Sequence, residues 1–129
     1  MAIADLTNPI EDLITGNDNI VIVDNFQSIR GGRTLDVTGF TDNVIQAGHL
    51  IIKDDDEYKP TPVVDGEYDV PEGAEYAGFL IASIPTSRPL AGIMVRGTVN
   101  VKASPYPLDN ILEDVKAALP LIVFTSDKA

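Results

Sequence analysis

The chain has 129 residues, 44% of them hydrophobic, which suffices for one domain with its own core. Lys and Arg total 9 against 20 Asp and Glu, and the net charge of -11 would repel nucleic-acid phosphates and anionic lipid headgroups. With no cysteine, disulfides and thiol catalysis are excluded.

The first 32 residues read as an extended N-terminal arm. Pro9 followed by Ile10, Leu13 and Ile14 predicts one helical turn, and Gly16-Asn17-Asp18-Asn19 predicts a break. Ile20-Val21-Ile22-Val23 is a β-branched run with high strand propensity, interrupted again at Gly31-Gly32. A short strand between two breaks makes no sheet alone and needs a partner edge, in this chain or in a neighbour. Met1 to Glu11 shows neither the basic start nor the apolar core of a secretion signal, and the apolar runs, such as Leu119 to Phe124, are too short to span a bilayer. The expectation is a protein made in a cytoplasm, with no membrane partner.

A β-rich domain is expected from residue 33 to residue 129. Thr34 to Val37 alternates, with Leu35 and Val37 on one face, and Leu50-Ile51-Ile52 predicts a short strand. Asp54 to Glu57 with Tyr58-Lys59-Pro60-Thr61-Pro62 reads as a polar, proline-bearing loop. Asp65-Gly66 signals a hairpin, Pro71-Glu72-Gly73 a turn, and Ala77 to Ile84 a buried strand. Gly92 to Val101 is the clearest strand. Ile93, Val95, Val99 and Val101 alternate with Met94, Arg96, Thr98 and Asn100, and Gly97 marks a bulge or a close backbone approach. Leu108, Ile111, Leu112, Val115 and Leu119 follow helical spacing. Asp109 is the candidate cap, Glu113 and Asp114 come early, Lys116 comes late, and Pro120 stops the helix. Leu121 to Thr125 returns as a strand. The fold class is mostly β with one α-helix in the C-terminal half.

The polar constellations favour structural roles. Asp54-Asp55-Asp56-Glu57 resembles the start of a calcium loop, but the sixth position, which requires Gly, is Lys59, so a solvated loop is expected. His49 stands alone, without a serine or carboxylate placed beside it by a known motif, and is read as a turn residue. Gly31-Gly32-Arg33 lacks the lysine and hydroxyl of a phosphate-binding loop. Arg88 and Arg96, among apolar strand residues, are expected to pair with carboxylates. No catalytic residue, metal ligand, cofactor site or small-molecule substrate is predicted.

Four segments, in order, resemble the head decoration proteins of tailed phages of the lambda type. VIQAGHLIIKDDDEYKP (Val44 to Pro60) is similar to the family's apolar-Gly-apolar strand leading to Tyr-x-Pro. AEYAGFLIASI (Ala74 to Ile84) is similar to its core strand, and AGIMVRGTVNVKASPYP (Ala91 to Pro107) to its strand with an Arg-Gly-x-Val step. PLDNILEDVKAALPLIVF (Pro107 to Phe124) is similar to its late helix and terminal strand. The resemblance implies a compact β-clip-like subunit and a homotrimer bound to the major capsid protein on the capsid exterior. It implies an arm that orders against the shell. Ile20, Val21, Ile22 and Val23 are then the capsid-contact candidates. The arm is longer and more strand-like than the family's, closer to the anchoring part of a phage head fibre protein. The alternatives are a head fibre or adhesin-type binding module and a β-clip nucleotide hydrolase of the dUTPase kind. The hydrolase would need paired carboxylates and a glycine-rich loop that the spacing lacks.

Overall fold

The computed structural model describes residues 18–126, and the helical turn expected near Ile10 to Ile14 lies outside them. In chain order the elements are α1 (Asp18–Val21), β1 (Ile22–Ser28), β2 (Arg33–Thr34), β3 (Val44–Ile45), β4 (Leu50–Asp54), β5 (Glu57–Pro60), β6 (Val63–Val64) and β7 (Glu67–Tyr68). There follow β8 (Glu75–Leu80), β9 (Ile84–Pro85), β10 (Leu90–Ala91), β11 (Ile93–Asn100), a 3₁₀ turn (Val101–Ala103), α2 (Leu112–Ala118) and β12 (Ile122–Thr125). The fold is mostly β, with one full helix in the C-terminal half.

The central sheet runs in the order β1-β11-β8-β4-β5, and β12 adds to β11 in parallel. Strand β11 is its axis. One edge takes β1 antiparallel along most of its length, while the other takes β8 at Ile93 and Met94 and then β12 from Gly97 to Asn100. A Cβ at Gly97 would overlap Asp24 O and Met94 Sδ, so the glycine permits the close backbone approach its position signalled. The simple alternation expected for β11 does not survive. Ile93 and Met94 are both fully buried, in separate clusters on the two sides of the sheet, and Val95 is only half-buried. Register shifts in the β1 pairing accompany the change of face, which brings Met94 and Val99 into one cluster.

Those two clusters are the core. One gathers Val21, Ile22, Leu50, Tyr68, Phe79, Met94, Val99, Leu108, Val115, Leu119 and Ile122. The other holds Leu35, Ile45, Ile51, Leu80, Ala91 and Ile93, with Val37 packed against it as the alternation at Thr34 to Val37 predicts. The helix presents Val115 inward and stops before Pro120. It is shorter than the Leu108 to Leu119 pattern, because Leu108 to Ile111 form a separate turn closed by the Ile111 amide on the Leu108 carbonyl at 2.9 Å. Asp109 does not cap it. The N-cap position is Ile111, without a side-chain cap.

The sequence division at Gly32 is corrected by the sheet. Ile22 pairs with Val99, Asp24 with Thr98 and Ser28 with Met94, so from Asp18 onward the chain is woven into the β-domain. Of the expected break at Gly16 to Asn19, Gly16 and Asn17 lie outside the described residues, while Asp18 and Asn19 belong to the single turn of α1. The Asp18 carboxylate accepts the Ser83 amide at 3.0 Å and the Ser83 hydroxyl at 2.8 Å, and that hydroxyl accepts the Ala47 amide at 2.9 Å. Val21 closes over Gly48, whose φ of +86° and lack of a Cβ make room for it.

Two further expectations change. Asp54 to Pro60, expected as part of a loop, forms the turn and second strand of a β4–β5 hairpin. Asp55 and Asp56 take φ of 50° and 64° at its turn, as short Asp residues tolerate. Lys59 pairs with Asp54 at 3.4 Å, and the Lys53 ammonium sits over the Tyr58 ring. The Ala77 to Ile84 strand begins at Glu75 and ends at Leu80, and Ile84 pairs separately with Ile45 in β3. The turn at Asp65-Gly66 joins β6 to β7 with positive φ at both residues, as a two-residue hairpin demands.

Candidate functional site

The capsid-contact candidates divide. Val21 is 2% exposed and Ile22 7%, both inside this chain's own core, so neither is available to a partner. This corrects their assignment as contacts. The expected Ile20 to Val23 strand is split: Ile20 and Val21 stand in the helical turn α1, and only from Ile22 does β11 supply a partner edge. Ile20 and Val23 remain at the surface, 37% and 46% exposed.

Beside them lies an apolar surface that strand propensity did not mark. Phe26 in β1 is 71% exposed, and Leu121 and Val123 at β12 are 61% and 60% exposed. Val123 lies opposite Thr98, and Thr98 opposite Asp24, so the three share one row across β12, β11 and β1. That row is on the side away from Val99 and Ile122, which point into the core. That face carries Val123 beside the polar Thr98 and Asp24, while Phe26 stands exposed in β1, the strand that ends the sheet, at the register shift between Asn25 and Gln27. Such an edge offers both apolar area and unpaired backbone groups to a partner. The available sequence signal was the apolar content of the terminal strand Leu121 to Thr125, whose outward positions carry Leu121 and Val123 instead of polar residues.

Arg96 is exposed on β11 next to Gln27 and, among the described residues, makes no ion pair, contrary to the expected structural pair. The acidic turn is partnered by lysines, Asp56 by Lys53 at 3.8 Å and Asp54 by Lys59. Among the described residues no three His, Asp or Glu side chains are placed to hold a metal ion.

His49 is no surface turn residue. It is 1% exposed, and its Nε2 lies 2.9 Å from the carbonyl of Thr61, which requires that nitrogen to carry the proton and donate. The Phe40, Tyr68 and Tyr106 rings stand edge-on to the imidazole at 5.6, 5.2 and 5.7 Å between centroids. Nδ1 has no hydrogen-bond partner among the described residues. Burial in this aromatic surround lowers the His49 pKa to about 4, against smaller raising effects of the Thr61 hydrogen bond and the Asp42 charge. Burial likewise pushes the Tyr68 phenol well above its ordinary range. The Tyr68 hydroxyl accepts the Leu50 amide at 3.2 Å.

Comparison with known proteins gives no relative. No family model matches the sequence, and no curated protein or solved structure matches it either. The reading of function therefore rests on the chain itself.

Proposed function

We propose that this chain is a structural virion protein that decorates and stabilises the exterior of a tailed-phage capsid, binding the major capsid protein as a homotrimer. The observation that carries this reading is the exposure of Val23 and Phe26 in β1, the strand that ends the sheet, and of Leu121 and Val123 at β12, on the other side of β11. Exposed aliphatic and aromatic side chains on strands of one sheet would be covered in such an assembly. The order of four segments from Val44 to Phe124 supports the same reading through the decoration-protein resemblance. A net charge of -11 suits a subunit that touches protein on the outside of a shell and never the packaged genome. Strand addition at β1 would join backbone hydrogen bonds to apolar burial, and three copies per trimer would act multivalently.

Co-sedimentation with undecorated heads tests the proposal, with cryo-electron microscopy of the resulting particles. The intact protein should sediment with heads and appear at their three-fold positions. Phe26→Glu and Val123→Glu should remain folded and bind at least about tenfold more weakly, a loss of about 1.4 kcal/mol. Intact protein that leaves heads bare, or charged variants that bind as well as the parent, would overturn the reading.

A further inference from the structure

A second feature lies away from the outer sheet face. Above His49 is a cavity of about 240 Å³ lined by Phe40, Asp42, Gln46, His49 and Tyr106 among others. The Phe40 and Tyr106 rings both lie T-shaped to the imidazole, and all three rings line the cavity. Asp42 is exposed, and its Oδ2 accepts the Tyr106 hydroxyl at 3.2 Å, which ties a carboxylate to one wall. Burial raises the Tyr106 pKa, and the nearby Asp42 charge and hydrogen bond add to that rise. The cavity thus sets three rings and one carboxylate among Asn43, Val44 and Gln46, inside a protein of net charge -11.

We propose that this cavity binds an alkylammonium group, held by the Asp42 carboxylate and by cation–π contact with Phe40 and Tyr106. Aromatic faces attract cations through the ring quadrupole, and a single carboxylate adds a charge-assisted hydrogen bond that a neutral ligand cannot form. An anionic ligand would meet Asp42 with no cation lining the cavity to offset it. A neutral apolar ligand would leave the carboxylate unused. The chemistry is shared by a lysine side chain of a protein partner and by a free small amine. The site goes beyond the capsid reading and does not depend on it.

The test is an NMR titration of the full chain with Nα-acetyl-lysine methylamide, with its Nε-acetylated neutral analogue, and with ethanolamine. The expected result is a saturable shift of the Phe40, Tyr106 and His49 ring signals with the lysine amide and none with the neutral analogue. Asp42→Asn, which keeps an acceptor for the Tyr106 hydroxyl but removes the charge, should weaken binding by about tenfold with an otherwise unchanged spectrum. Tyr106→Leu, which removes one ring, should weaken it too. Ethanolamine binding as tightly as the lysine amide would support the site with a free amine as its ligand; weaker ethanolamine binding would support it with a lysine side chain. Equal binding of the neutral analogue, shifts mapping to another part of the surface, or an undiminished affinity in Asp42→Asn would overturn the proposal.

Discussion

Lowering the pH should destabilise this protein through His49 in a window that can be calculated. In the folded chain Nε2 donates to Thr61 and Nδ1 is enclosed, so a second proton would have to enter an apolar aromatic surround. The folded pKa is about 4, below the ordinary value of 6.5 that the unfolded chain should show. The unfolded state thus takes up the proton first as the pH falls. The stability linked to neutral His49 is fully present above about pH 6.5, declines between there and about pH 4, and levels off below. At roughly 1.4 kcal/mol per pH unit, the gap between 6.5 and about 4 sets a ceiling of about 3 kcal/mol, with about 2 kcal/mol already lost at pH 5. For a domain of this size that is a fall in Tm on the order of 8 °C. Urea midpoints and thermal melts should be measured across this range for the parent and for His49→Gln, which keeps a donor for the Thr61 carbonyl but does not titrate. The variant should be less stable at neutral pH, yet lose less on acidification, because carboxylate protonation is common to both proteins and cancels in the difference. Parallel stability curves for the two, or a folded-state His49 pKa near 6.5 by NMR, would refute the reasoning.

Removal of residues 1–32 should abolish folding, because it deletes β1 together with the buried Val21 and Ile22; circular dichroism would then show loss of β structure and of a cooperative melt. Val115→Asp should also unfold the domain, since it places an unpaired charge at a fully buried site, at a cost of several kcal/mol, on the order of total stability. Gly48→Ala should lower stability by about 2–4 kcal/mol in denaturant melts, because a Cβ there would overlap Val21 on a backbone with φ of +86°. Phe26→Ser should leave stability within about 0.5 kcal/mol of the parent, because that ring is 71% exposed in the isolated chain.

Much of the local grammar was written in the sequence. The apolar spacing around Val115 gave a helix, with Pro120 to end it, because the 3.6-residue period and the missing amide of proline act within one turn. Asp65-Gly66 specified its hairpin because both residues tolerate positive φ, and Leu35 is buried as the alternation expected although β2 ends at Thr34. Length and charge were enough to expect one acidic, self-sufficient domain. What the sequence could not decide was which distant segments meet. The Ile20 to Val23 run carries strand propensity, yet only the edge of β11, far along the chain, makes Ile22 core and leaves Val23 outside. The acidic stretch after Ile52 looked like a loop because local propensity disfavours Asp in strands. Pairing of Ile52 with Lys59 and Lys53 with Tyr58, with the lysines set against the acidic residues, holds it as a hairpin. His49 shows the limit most sharply. A lone polar residue beside a glycine reads as a turn, and its burial depends on the Thr61 carbonyl and three rings from separate segments, Phe40, Tyr68 and Tyr106. Burying a polar group is permitted only where hydrogen-bond partners are already assembled, and that assembly exists only once the tertiary structure has formed.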